Sequence, residues 1–205
     1  MTQSLKLYTN PMSRGRIARW MLEEVGQAYE VEVLEYDTTM KSPEYLKINP
    51  LGKVPTVAHG EHVVTECAAI CAYLADAFPE AELGPRAEER AAYYRWLFFA
   101  AGPLDAAVTN RTAGFVVKPK QRRQFGYGSY EGAVDTLAYA VSQHDYIAGD
   151  RFTAADVYVG MQVGWGLEFG TLDVRPEFEA YWGRLKEREA LQRASALDDA
   201  LVKGE

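Results

Sequence analysis

The sequence predicts an α/β domain over residues 1–80 followed by an all-α domain over residues 85–205. Before residue 80 the apolar pattern switches repeatedly between a two-residue period and a helical one, as alternating strands and helices require. After it, no two-residue alternation returns. Pro79 and Gly84-Pro85 bracket a polar connector, Glu80 to Leu83, which marks the boundary.

Composition limits the possible functions. The 205 residues are 25% charged and 48% hydrophobic, an ordinary globular make-up. A chain of this length buries about 70% of its unfolded surface and needs no disulfide or metal staple. With 22 basic against 29 acidic residues and a net charge of -7, a polyanion partner such as nucleic acid is not expected. Met1 to Leu7 carries no secretory pattern, and no window approaches the roughly 18 to 20 apolar residues of a membrane span. Two cysteines, Cys67 and Cys71, fit a reducing compartment, so a cytoplasmic protein is expected.

The elements follow in order. Leu5 to Tyr8 alternates into the turn Thr9-Asn10-Pro11 and reads as a strand. Ile17, Trp20, Met21 and Val25 fall on one face of a helix that Gly26 closes. Tyr29 to Leu34 alternates as a second strand. Ser42-Pro43-Glu44 opens a short helix to about Ile48, with a capping serine before a proline at the first helical position. Val54 to Ala58 and His62 to Val64 form a hairpin about His59-Gly60-Glu61, and Glu66 to Phe78 resumes the helical period. Beyond the connector, residues 87–110, 130–143, 153–169, 177–187 and 190–202 read as helices with apolar faces. Thr153 and Asp156 have the spacing of a capping box that serves folding.

The most informative stretch is Asn49-Pro50-Leu51-Gly52-Lys53-Val54-Pro55, followed by Thr65-Glu66-Cys67-Ala68-Ala69-Ile70. Pro55 at the start of a strand leaves neighbouring backbone groups unpaired, and its ring pushes Val54 toward an extended conformation. An extended residue with free N–H and C=O pairs strand-fashion with a small peptide. On spacing alone, a hairpin that merely begins with proline is an equal reading.

These two motifs, N-P-x-G-x-V-P and T-E-C-A-A-I-x-x-Y-L, resemble the glutathione-binding half of the cytosolic glutathione S-transferase family, and the element order matches its thioredoxin-like domain and helical C-terminal domain. The resemblance implies a cis Val54-Pro55 bond, Val54 pairing with the cysteinyl unit of glutathione, and Glu66 and Cys67 holding the γ-glutamyl group. Cys67 replaces the usual serine, and a thiol is the poorer hydrogen-bond partner. Lys41 in K-S-P-E, and Lys53, would meet the glycyl carboxylate; taken singly, either lysine reads better as a solvated amine.

The resemblance makes glutathione a co-substrate whose thiolate attacks an apolar electrophile held by the helical domain, with no metal. A free thiol has a pKa near 8.5, so lowering it by about two units needs about 2.7 kcal/mol of preference for the anion. A hydroxyl donor and a helix N-terminus contribute on that scale. Ser13 is the expected donor, being at a helix start ahead of Leu22-Glu23-Glu24 as in serine-type members; Tyr8 is the alternative, and a plain helix cap is the structural reading of Ser13. Arg14, Arg16 and Arg19 crowd the first turns of this helix, where cations are disfavoured, and Arg14 is the expected ligand contact. Arg19 is spaced to pair with Glu23.

In the second domain, residues of the first long helix and of the stretch Asn110 to Phe115 are implied to line the electrophile pocket. A homodimer is also implied. Other readings on the same fold are a glutathione-binding scaffold without turnover, or a glutathione-dependent isomerase, lyase or peroxidase. Cys67 and Cys71 beside His59 and His62 lack a second ligand pair for zinc, and Lys118, Lys120, Arg122 and Arg123 read as a solvated connector.

Overall fold

The computed structural model describes residues 4–202. Residues 1–3, the start of the Met1 to Leu7 stretch in which no secretory pattern is expected, and residues 203–205, which end the expected helical domain, lie outside the described residues. The chain divides into two compact units, one comprising residues up to Leu83 together with those from Arg188 onward, the other running from Gly84 to Glu187.

In the first unit the order is β1 (Leu5–Thr9), α1 (Gly15–Val25), β2 (Glu30–Val33), α2 (Pro43–Ile48), β3 (Thr56–His59), β4 (His62–Thr65) and α3 (Cys67–Ala77). The strands form one mixed sheet in the order β2-β1-β3-β4. β1 pairs parallel to β2, with Thr9 opposite Val33, and antiparallel to β3, with Tyr8 opposite Thr56. β4 returns antiparallel, with Thr65 opposite Thr56. This register brings the end of β1, the start of β3 and the end of β4 to one end of the sheet. The helices α1 and α3 both begin there.

Alternation along β1 sorts the two faces of the sheet. Tyr8 joins Leu34, Met40 and Tyr45 in a cluster beneath α2. Leu7 and Thr9 face the other way, with Ile17, Trp20 and Met21 of α1 and Ile70 and Leu74 of α3 fully buried. Gly26 closes α1 in the left-handed region, φ 72°, with its N–H bonded to Leu22 O at 3.0 Å. Ser42 caps α2 as expected, accepting from the Tyr45 N–H at 3.2 Å.

The second unit holds α4 (Arg90–Phe99), α5 (Asp105–Thr112), α6 (Tyr130–Ser142), α7 (Ala154–Glu168) and α8 (Pro176–Leu185). The single helix expected over residues 87–110 is divided: a π-turn at Ala100–Leu104 separates α4 from α5 and contains Pro103, whose missing N–H cannot continue an α-helical ladder. Asp156 of α7 is fully buried and receives the Thr153 and Ile147 N–H groups at 2.8 and 2.7 Å and the Tyr181 hydroxyl at 2.8 Å. Even so, burial pushes its carboxyl up to about 6.

The helix α9 (Glu189–Val202), expected in the helical domain, belongs instead to the first unit. Its buried positions Ala190, Leu191, Ala194 and Asp198 lie on one face, and ion pairs fasten it to α1. Arg188 clasps Glu24 at 2.6 and 2.7 Å, and Asp199 receives Arg16 at 2.8 Å. Arg19 meets Asp198 at 2.8 Å with both side chains almost wholly buried. The expected Arg19–Glu23 pairing therefore gives way to a partner from α9. Glu23 receives the Tyr29 hydroxyl at 2.7 Å and Arg193 at 3.2 Å.

Candidate functional site

The site end of the sheet is built from three loops. The first, between β1 and α1, is held by Asn10, whose side-chain amide donates to Leu34 O at 2.9 Å while its Oδ1 accepts the Met12 N–H at 2.9 Å. The Arg16 guanidinium donates to Pro11 O at 2.6 Å. Ser13 stands half-buried in this loop, its hydroxyl donating to Asn10 O at 2.6 Å and accepting the Gly15 N–H at 2.9 Å. Arg14 is exposed next to it. Tyr8, the alternative hydroxyl, packs its ring 5.6 Å from that of Tyr45 in the apolar cluster.

The second loop carries Asn49 to Pro55. Buried Asn49 and Tyr45 both donate to Lys53 O, at 2.8 and 2.6 Å, and both contact Thr56 Oγ1. Gly52 adopts φ 59°, and a Cβ there would sit 2.7 Å from Met40 O, so no other residue fits. This scaffold fixes the Lys53 carbonyl and with it the Val54-Pro55 bond, which is cis. Val54 lies beyond the paired register of β3. Lys41 donates to Gly52 O at 2.7 Å and Leu51 O at 3.3 Å, and Lys53 is exposed.

The third loop joins β4 to α3. Glu66 precedes the helix at φ 65°, ψ 117°, a conformation that costs a residue with a side chain about 1–3 kcal/mol and is found at ligand sites. Cys67 opens α3, buried, with its Sγ 3.6 Å from Arg14 O. The openings of α1 and α3, each the positive end of a helix dipole, thus lie together.

Ser13, Arg14, Lys53, Val54, Pro55, Glu66 and Cys67 fall on the three loops or at the helix start one of them leads into, and Lys41, in the turn Thr39–Lys41 before α2, reaches the second loop with its Nζ, whereas the Tyr8 ring lies in the cluster beneath α2. Sequence reasoning assigned no role to Asn10, Tyr45 or Asn49. Asn49 opens the turn that the Gly52 N–H closes on its carbonyl at 2.8 Å, which Asn-Pro-Leu-Gly signals in sequence, but its side-chain bond to Lys53 O carries no such signal.

The residues 3–76 match the family model for the glutathione S-transferase N-terminal domain. Over 215 residues, spanning 97% of this chain and 96% of the relative, the sequence is 37% identical to glutathione S-transferase 1 of Dianthus caryophyllus. The chain belongs to the glutathione S-transferase family. Glutathione S-transferase GST-4.5 of Xanthomonas campestris is 31% identical over 175 residues, 81% of this chain and 84% of that one. The crystal structure of a theta class glutathione S-transferase from Xanthomonas axonopodis pv. citri, with glutathione bound, superposes with a TM-score of 0.73 at 28% identity, covering 94% of this chain and 97% of that chain.

The transferase's helical unit carries a concavity of about 150 Å³ lined in part by Ala107, Arg111, Phe115, Val117, Tyr127 and Tyr130. Asn110 donates to the Tyr127 hydroxyl at 2.9 Å, and Arg111 stacks over Tyr130 at 4.2 Å. Among the described residues, no helix is long and apolar enough to cross a membrane.

Proposed function

We propose that this glutathione S-transferase binds glutathione across the three loops and uses Ser13 to stabilise its thiolate for attack on an apolar electrophile. The observation that carries this reading is the half-buried Ser13 hydroxyl, held where α1 opens by bonds of 2.6 and 2.9 Å. The burial of Tyr8 in an apolar cluster supports a core role for that residue. Bound glutathione in the Xanthomonas axonopodis relative supports the ligand.

On this reading the thiol proton leaves to solvent, while Ser13 stays neutral and turns its O–H from Asn10 O to the sulfur. The positive end of α1 adds to the preference for the anion. The thiolate then forms a C–S bond and the electrophile's leaving group departs with its bonding pair. Val54 offers its backbone to the cysteinyl unit beside cis Pro55. The α3 N-terminus, with Glu66 and the Cys67 N–H, takes the γ-glutamyl carboxylate. Lys41 has three donors and spends two on loop carbonyls, leaving one for the glycyl carboxylate, with Lys53 next to the Gly52 carbonyl it holds, while Arg14 adjoins Cys67 at the γ-glutamyl end.

The aromatic and arginine lining of the helical unit's concavity supports it as a place for a planar electrophile. Tyr94 and Phe98, one turn apart on α4 and 43% and 69% exposed, support a homodimer, and the free thiols Cys67 and Cys71 support a reducing, cytoplasmic setting.

Retention on immobilised glutathione and conjugation of chlorodinitrobenzene test the assignment. Ser13→Ala lowers kcat/KM by about 10²-fold or more, as loss of a donor to developing charge does, and retention survives. Tyr8→Phe has little effect. A rate unchanged in Ser13→Ala overturns the role of Ser13, and absence of retention in the wild type overturns the site.

A further inference from the structure

Thr9 ends β1 with no exposed surface, and its hydroxyl oxygen has no hydrogen-bond partner. A buried hydroxyl left unpaired works against folding, because it loses its water and gains nothing in return. Valine at this position would keep the shape, suit a strand and avoid that loss. The hydroxyl is placed next to the proposed thiolate donor. A Cβ built on Gly15 would lie 1.9 Å from Thr9 Oγ1 and 3.0 Å from Ser13 Oγ. The two hydroxyls therefore flank one point, the Hα of Gly15 in the first turn of α1, and glycine is there because Thr9 fills the space a side chain would need.

Ser13 Oγ has one proton to give and two lone pairs to receive. The proton goes to Asn10 O and one lone pair takes the Gly15 N–H, so one acceptor position is open. Thr9 holds an unspent O–H across the Gly15 Hα from it, not bonded to it in this arrangement. We infer that Thr9 is a positioning residue for the thiolate donor: when Ser13 turns its proton to the glutathione sulfur, Thr9 donates to Ser13 Oγ. A hydroxyl that receives two hydrogen bonds becomes a stronger donor through its own O–H. The inference rests on the Ser13 reading given above. The other polar and charged groups at this loop are Asn10 at Leu34 O and the Met12 N–H, Arg16 at Pro11 O with its α9 partner Asp199, the Tyr36 hydroxyl at Met12 O, Cys67 at Arg14 O, and Arg14 itself. None is altered by a change at Thr9.

The test is the pH dependence of kcat/KM for chlorodinitrobenzene conjugation in full-length wild type, Thr9→Val, Thr9→Ser, Ser13→Ala and the Thr9→Val/Ser13→Ala double variant. Thr9→Val shifts the profile to higher pH by about half a unit to one unit, which at neutral pH is roughly a three- to ten-fold loss in rate. Glutathione KM stays within about two-fold of wild type and the melting temperature is unchanged or higher, since an unpaired hydroxyl has gone. Thr9→Ser restores the wild-type profile. In the Ser13→Ala background, Thr9→Val produces no further shift. If Ser13→Ala moves the profile and Thr9→Val does not, Thr9 is a packing residue and this inference falls while the Ser13 reading stands. If Ser13→Ala leaves the profile unmoved, the Ser13 reading falls and takes this inference with it. An equal Thr9→Val shift with and without Ser13 also overturns the inference, because the two hydroxyls then act separately.

Discussion

At position 67 a thiol opens α3 and reaches the Arg14 carbonyl across 3.6 Å, a long and weak link between the loops that begin α1 and α3. A hydroxyl is shorter and donates more strongly. Cys67→Ser is therefore expected to tighten this junction and lower glutathione KM by about two- to three-fold, equivalent to about 0.5 kcal/mol, with kcat unchanged. Steady-state kinetics with varied glutathione checks it; an unchanged KM would assign binding at this end to backbone N–H groups alone. The neighbouring Glu66 holds φ 65° with ψ 117°, outside the ordinary left-handed helical region. Backbone strain beside a helix opening is consistent with a residue held for its contacts rather than for stability.

Among the elements, α7 carries the clearest electrostatic consequence. Asp156 has a folded pKa of about 6 against 3.8 for an ordinary aspartate. The folded state thus binds this proton more readily than the unfolded state, so acidification through that window stabilises the protein, by up to about 3 kcal/mol from this group. Urea unfolding of wild type and Asp156→Asn across the window checks the sign. The difference between the two curves should follow protonation of Asp156, and a wild type that loses stability relative to the variant on acidification would contradict it. The period of the apolar residues made these elements legible, and short signals such as Ser42-Pro43 or Thr153 with Asp156 located their ends. Less legible was anything that depends on a distant partner. Nothing within residues 189–202 says which surface their apolar face covers, and Arg19 near Glu23 suggested a local pair because the competing carboxylate lies far along the chain. Asn49 and Tyr45 escaped for the same reason: a buried polar side chain is explained by what it bonds, and Lys53 O is a backbone atom that carries no residue-type signal. The motif around Val54-Pro55 was legible as a candidate site, whereas the groups that hold its loop were not.

At the scale of the whole molecule, the proposed homodimer supplies a partner for the exposed Tyr94 and Phe98 of α4. Phe98→Glu places a charge in that face and is expected to shift the mass measured by light scattering from two chains to one, with the far-ultraviolet circular dichroism of the wild type retained. A wild type already of one-chain mass would remove the dimer from the reading. The return of α9 to the first unit matters in another way. The fold that presents Ser13 is assembled from two stretches of sequence separated by the entire helical unit. During synthesis, α1 leaves the ribosome well before the helix that covers it, an interval on the order of ten seconds at elongation rates of about 5–20 residues per second. For that time Arg19 is without Asp198, and the α1 surface later covered by Leu191 and Ala194 is open. The thioredoxin-like portion therefore completes its fold only after translation has passed the helical one, so the last-made stretch of the chain closes over its first-made helix.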